Sequence, residues 1–314
     1  MKSARFAARG LAVLLALLIL QPGLAQELQT RFELRFSTAL TLSSLPPGAS
    51  WGLGAYLEAR YHLSPVSLHL VLEPGANFSS AVTTDAGLTE LYALYRADEL
   101  DVSLGLERLP LEVARLSLPY SLEPLSPLGS RQGRWGARLS WNPEAARVRL
   151  AVVEDAGRVL PVLSLRREFE GFELEAHALY RSNPVFGLGG SGTLAGLVVY
   201  GETWLLPATD RLRYVLGLSG SLGEGFWTLE GGHAPALPPF LPGHFLAGQW
   251  LFRATEEASW NLGAHLLLED PLRAQLSTSY IQASDNHELT SSLAVQFGPQ
   301  PLVLIIRLSL RAFM

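Results

Sequence analysis

The sequence predicts an all-β fold: a single transmembrane, antiparallel, up-and-down β-barrel of about 16 strands, with about 14 as the alternative. Three observations carry that prediction. First, Leu28 to Leu42 alternates almost without a break. Leu28, Thr30, Phe32, Leu34, Phe36, Thr38, Leu40 and Leu42 share one face, and Gln29, Arg31, Glu33, Arg35, Ser37, Ala39 and Thr41 share the other. Successive strand side chains point to opposite sides, so this segment has an oily face and a charged face. Second, the same pattern recurs to the last residue. Third, the chain is 48% hydrophobic and only 17% charged, yet no stretch supplies the ~20 apolar residues of a membrane helix. An oily exterior around a polar lumen accommodates that composition.

The N-terminal residues stand apart from the fold. Lys2, Arg5 and Arg9 precede a short apolar run, Leu11 to Leu20, and Gly23-Leu24-Ala25 supplies small residues after it. This is the pattern of an export signal cleaved after Ala25, giving residues 1–25 as a signal peptide and 26–314 as the barrel. The whole chain has a formal net charge of −5, and losing that basic leader makes it more acidic. Nucleic acid is therefore excluded as a partner. Cysteine is absent, which suits an exported chain.

The strands follow in order. Trp51 to Leu63 sets Trp51, Leu53, Ala55, Leu57, Ala59 and Tyr61 against Tyr56, Glu58, Arg60 and His62. Val66 to Glu73 repeats the scheme with Ser67, His69 and Glu73 on its polar side. Leu88 to Arg96 is ambiguous, because Leu and Tyr occur in both phases. Leu100 to Glu107 alternates cleanly. Further strands are predicted over 132–141, 147–154, 159–167, 172–181, 193–205, 211–222, 225–232, 245–254, 259–268, 272–281, 288–297 and 302–312. Turn-forming clusters such as Pro46-Pro47-Gly48, Asn142-Pro143, Asp155-Ala156-Gly157 and Asp285-Asn286 separate many of them. These segments exceed an even count by one, and Leu88–Arg96 is the first suspect.

Size decides which face is outside. A soluble barrel would give the same alternation with its apolar side inward. About 16 strands enclose too wide a lumen for side chains to fill, so an apolar interior would be an empty greasy pore. The leucine faces therefore meet lipid and the polar faces meet water. Trp51, Trp135, Trp141, Trp204, Trp227, Trp250 and Trp260 lie near segment ends, where interfacial girdles are expected.

With this organisation the chain resembles bacterial outer-membrane β-barrel proteins of the porin-like superfamily. The resemblance spans the predicted barrel and is one of pattern. Its most specific part is the last strand, where Leu302, Leu304, Ile306, Leu308, Leu310, Ala312 and Met314 share one face. Members of the superfamily usually end on an in-phase aromatic residue read by the assembly machinery. Here Met314 holds that place and Phe313 falls one residue out of phase. The resemblance implies location in the cell outer membrane, with the lipid bilayer, small hydrophilic solutes and the outer-membrane assembly machinery as partners. It also raises a homotrimer, although nothing in the sequence marks a subunit-facing wall.

Charge is carried almost entirely by arginine, Lys2 being the only lysine. One reading is genomic or thermophilic compositional bias. The functional reading is a pore wall of fixed guanidinium groups, with Arg31, Arg35, Arg60, Arg134 and Arg138 opposed by acidic residues such as Glu58. Arginine stays charged at any physiological pH and pairs with carboxylates through a planar fork, so such rows would set a field across a lumen. The segment from Arg108 to Gln132 carries Pro110, Pro119, Pro124 and Pro127, which preclude regular ladder pairing. Its many leucines are unlike a solvated loop. It is expected either to fold into the lumen, with Glu112, Arg115, Glu123 and Arg131 facing the passage, or to pack on the rim. A second Pro-rich stretch runs from His233 to His244, but flexible spacing between two histidines is a weak metal signal.

Enzyme motifs are absent: there is no phosphate-binding glycine loop, no helical His pair and no nucleophile elbow. His62, His69, His177 and His265 sit on polar strand faces near serines, as satisfied hydrogen-bonding residues usually do. The expected function is a porin-like channel for passive diffusion, without catalytic residues, metal or cofactor. A plugged structural barrel and a wall-bound lipid hydrolase are the alternatives.

Overall fold

The computed structural model describes residues 27–42, 48–79, 82–111, 115–116, 122–123, 131–207, 211–234, 243–268, 272–298 and 303–313. The predicted signal peptide lies outside the described residues. The strands are β1 (Glu27–Leu42), β2 (Gly48–Leu63), β3 (Val66–Leu72), β4 (Gly75–Phe78), β5 (Val82–Asp85), β6 (Leu88–Ala97) and β7 (Leu100–Glu107). Next come β8 (Arg134–Trp141), β9 (Ala146–Asp155), β10 (Arg158–Phe169), β11 (Phe172–Tyr180), β12 (Pro184–Leu194), β13 (Leu197–Leu206) and β14 (Arg211–Leu222). The chain closes with β15 (Gly225–Ala234), β16 (Gly243–Arg253), β17 (Ala258–Leu267), β18 (Arg273–Ala283), β19 (His287–Phe297) and β20 (Val303–Phe313). Apart from β3 to β6, strands adjacent in sequence pair antiparallel, and β20 returns to pair with β1, which shuts the sheet into a barrel.

The barrel has 18 staves, not about 16. β3 and β4 lie end to end along β2, and β5 and β6 continue each other on the next stave. Glu73 and Pro74 interrupt the first of these staves and Ala86-Gly87 the second. Gly87 has φ +72, and a Cβ there would collide with the Glu73 carbonyl; glycine alone fits both constraints. Leu88–Arg96, the suspected error, is part of β6. Its phase is obscured because Tyr92 takes a lumen position, with its hydroxyl 2.7 Å from His69 Nδ1.

The undercount came from β12. The predicted strand 193–205 is the end of β12, a tight turn, and most of β13. Ala195 and Gly196 both have positive φ, 50° and 81°, as a two-residue primed hairpin turn requires. Alanine at the first position hides that turn, which Asn or Asp would have announced. Gly187, Gly189, Gly190 and Gly192 also erase the alternation along β12. Gly187 has a packing reason: a Cβ there would lie 2.6 Å from the Trp204 ring on the neighbouring strand. A Gly187→Val substitution should therefore cost about 1–3 kcal/mol by overpacking. Urea unfolding followed by tryptophan fluorescence measures it, and an unshifted midpoint would contradict the packing.

Burial is inverted relative to a soluble protein. Leu104, Leu150, Leu163, Leu188, Leu216, Leu246, Leu276 and Ile306 are exposed on the outer surface, whereas Glu33, Glu90, Ser103, Ser164, His177, Glu202, Ser219 and Glu230 are buried inside. Such an exterior suits hydrocarbon as surroundings, since closure pairs every described strand on both sides except the short β5. Aromatic residues mark both outer margins: Trp51 stacks on Phe78 at 3.9 Å, and Trp260 meets Tyr280 at 5.1 Å. Trp204 is the exception to the girdle expectation, being 1% exposed and turned inward.

An even number of alternating staves puts the start of β1 and the end of β20 at one rim, here called the terminal rim. Its turns are short, such as 64–65, 98–99, 195–196 and 223–224. The longer connections, including those from β7 to β8 and from β15 to β16, leave from and return to the distal rim.

Candidate solute pathway

The lumen faces of β20, β1 and β2 carry a dense cluster of charges. Glu33 sits at the centre, with Arg35 Nε at 3.0 Å, an Arg31 guanidinium nitrogen at 3.5 Å and Arg311 Nε at 3.6 Å. Sheet register produces this cluster by setting Arg35 beside Arg311 and Arg31 beside Glu58. Arg35 also reaches Glu73 at 3.7 Å, and Arg311 reaches Glu288 at 3.5 Å. Further along, Glu58 accepts a 2.8 Å hydrogen bond from Tyr56 and pairs with Arg60 at 2.6 Å and His69 at 3.1 Å. Arg31 and Arg35 lie 5.7 and 5.0 Å from the Tyr56 ring centroid, so cation–π attraction adds to the ion pairs.

Depth differs between the partners. Glu33 is 2% exposed, whereas Arg31 and Arg311 above it are 58% and 45% exposed. Glu58 at 15% lies under Arg60 at 53%. The carboxylates are sunk in the wall and the guanidinium heads stand out over them. The short acidic side chain ends near the backbone, while the long arginine stem carries its charge toward the axis.

A second set of charges lies on β7 to β11. Arg138 pairs with Glu107 at 2.7 Å, and Ser103 donates to the same carboxylate at 2.5 Å. Arg134 pairs with Asp155 at 2.7 Å, where Arg181 joins it. Arg166 bridges Glu173 and Glu175. His177 bonds Ser164 at 3.0 Å and stacks on Trp204 with centroids 5.4 Å apart.

The described parts of the segment after β7 lie inside the barrel. Arg108 bonds Glu90 at 2.5 Å. Burial opposes its charge, but the hydrogen bond and the negative charge of Glu90 push its pKa above the usual arginine value. Leu109, Leu111 and Leu122 are buried against an apolar patch of the inner wall formed by Val153, Leu160, Val162, Leu179 and Trp204. This is where the leucines of a non-strand segment go. Further along, the backbone N–H groups of Arg115 and Leu116 donate to Glu230 Oε1 at 2.6 and 2.8 Å. Tyr200 donates to the same oxygen at 2.8 Å. The Arg115 guanidinium donates to Ser219 at 3.0 Å and lies 5.0 Å over the Tyr200 ring. Gly217 makes room for that ring, which a Cβ would enter. On the return, Arg131 pairs with Glu123 at 3.3 Å, and Arg134 donates to the Leu122 carbonyl.

The candidate residues from sequence thus fall into two groups. Arg31, Arg35, Arg60 and Glu58 meet in one patch on β1 and β2. Arg134 and Arg138 lie four staves further round the wall on β8, where Arg134 meets the inward segment at the Leu122 carbonyl. Arg115 stands apart against β13–β15, and Glu112 lies outside the described residues. Tyr56, Tyr92, Tyr200 and Glu230 had not been singled out, although polar phase was the available signal for Tyr56 and Glu230.

No family model matches this chain, and no curated protein does. Solved structures do. Pseudomonas aeruginosa OccK11 (OpdR) aligns with a TM-score of 0.69 at 10% identity, covering 94% of this chain and 98% of the other. P. aeruginosa OccK5 (OpdH) gives 0.67 at 11% identity, covering 91% and 98%. Both are outer-membrane porins. The chain has the porin barrel fold. Acinetobacter baumannii OccAB1 extends the likeness to a second genus, with a TM-score of 0.63 at 9% identity over 93% and 98%. At such identities the shared property is the closed barrel.

Proposed function

We propose that this porin-fold chain is a passive channel of the bacterial outer membrane for small hydrophilic solutes. Its lumen would be narrowed by the 108–132 segment and lined by Arg31, Arg35, Arg60, Glu58, Arg134 and Arg138, with Glu112, Arg115, Glu123 and Arg131 contributed by the segment. The depth difference between guanidinium and carboxylate carries this reading. A solute passing the β20–β1–β2 wall meets exposed cations over buried anions, so the passage favours anions although the whole chain is acidic. Diffusion needs no cofactor or energy input, and the apolar exterior supplies the lipid contact.

Single-channel recording of the refolded barrel in a planar bilayer, under a salt gradient, tests both parts. Stable current steps with a reversal potential of the anion-selective sign are the expected result. A folded, inserted protein that passes no current would replace the channel by a plugged structural barrel. Cation selectivity would leave a channel but remove the role given to the exposed guanidinium heads.

A further inference from the structure

One sector of the inner wall differs from the rest. Gln249, Gly263 and Ser277 are aligned across β16, β17 and β18, as are His265 and Gln275, and Asn261 with Ser279 and Ser292. Amides, hydroxyls and an imidazole replace the ion pairs found elsewhere. A cavity of about 250 Å³ opens here between this wall and Leu116 of the inward segment, and among the described residues no Asp, Glu, Lys or Arg lines it. That is just below the usual size of ligand pockets, about 300–1,000 Å³, and leaves room for one small ring.

We infer that this cavity is a subsite for the neutral, polyhydroxylated part of a small solute, a sugar or polyol of about one ring. The inference rests on the channel reading above. Asparagine and glutamine amides both donate and accept, as do sugar hydroxyls, so the two sets are complementary whichever way each hydroxyl turns. An ion entering the sector would shed water without gaining an opposite charge. The Asn261 carbonyl oxygen is buried in the wall without a hydrogen-bond partner, so a small rotation of that amide would bring an uncommitted acceptor to the cavity. Space is kept by Gly263, where a Cβ would lie 2.7 Å from Ser277 Oγ. His265 stacks on Phe245 at 5.7 Å and 25° and borders the cavity. Leu116 forms the opposite side, and its position is fixed by the Glu230 hydrogen bond. The wall of exposed guanidinium heads would then handle charge while this sector handles hydroxyls.

The test is block of ion current by D-glucose in the refolded full barrel. In the wild type, current should fall saturably with glucose. An Asn261→Leu/Gln275→Leu double variant should raise the half-blocking concentration about tenfold or more, as expected for two lost hydrogen bonds, with conductance in salt alone unchanged. Ser277→Ala, a milder change, should shift it in the same direction if the double variant fails to refold. A fall in current that merely tracks bulk viscosity, identical in wild type and variants, would overturn the subsite while leaving the channel intact. If the wild type carries no current at all, the channel reading fails, and calorimetric titration of glucose into the barrel in detergent micelles decides the subsite alone. Saturable heat lost in the variants supports it, and no heat refutes it.

Discussion

Replacing Glu230 by alanine should release the inward segment and raise single-channel conductance severalfold. One carboxylate oxygen accepts from Arg115 N–H, Leu116 N–H and the Tyr200 hydroxyl. Hydrogen bonds to a charged acceptor are worth roughly 1.5–3 kcal/mol each when buried, but lumen water would re-satisfy some of the donors. A net loss of about 2–4 kcal/mol at this anchor is expected. Leu109, Leu111 and Leu122 would still hold the two ends of the segment to the wall, so the change should be a widened, noisier passage. Glu230→Gln keeps an acceptor of the same shape and should give an intermediate conductance. Equal conductance in wild type, Gln and Ala forms would show that the segment does not narrow the path. Refolding is followed independently by electrophoretic mobility before and after heating.

The second large effect is on ion selectivity. An Arg35→Gln/Arg311→Gln variant should shift the anion-to-cation permeability ratio toward cations by roughly three- to tenfold, since both charges stand within a screening length of the path. Glu33 keeps Arg31 as a partner at 3.5 Å, so the barrel should still assemble. With two of its three guanidinium groups gone, the buried carboxylate becomes the dominant fixed charge of that patch. The effect should shrink as salt is raised, because screening weakens every exposed charge. A reversal potential unmoved at low salt would place the selective point elsewhere, with Arg138 and Arg134 the next candidates.

Most of the barrel was legible because lipid on one side and water on the other impose a two-residue period on each stave. β1, β2, β7 and the strands from β14 onward obey it. The failures have local causes. β12 is rich in glycine because β13 lays Trp204 over Gly187, and glycine has no side chain with which to show a phase. β6 carries tyrosine on the lumen side, where a polar handle meets His69, so aromatic content pointed both ways. Trp204 was misplaced among the girdles for a related reason: the inner wall has its own apolar patch, built to receive leucines from the inward segment. Alternation locates a face but not what that face touches. The inward-facing arginines and glutamates of β1 and β2 were legible by polar phase, whereas the depth of each was not. Depth depends on side-chain length measured from a closed wall, and closure is a long-range property. The subsite on β16–β18 was invisible for the same reason. Its glutamines, asparagine and serine are unremarkable until neighbouring strands align them.

Closure itself has a consequence for how such a molecule can be made. The seam joins Leu34 to Ala312 and Leu40 to Ile306, pairing the earliest strand with the latest. Every other hairpin can form between sequence neighbours, but this ladder must wait for the whole chain. Until then both flanks of the growing sheet are unpaired edges with leucine on one surface, the template most prone to capture another chain. Assembly is therefore a race between one intramolecular meeting and many intermolecular ones. Loss of β20 would remove the only strand that ends that race, leaving sheets that join one another instead of barrels.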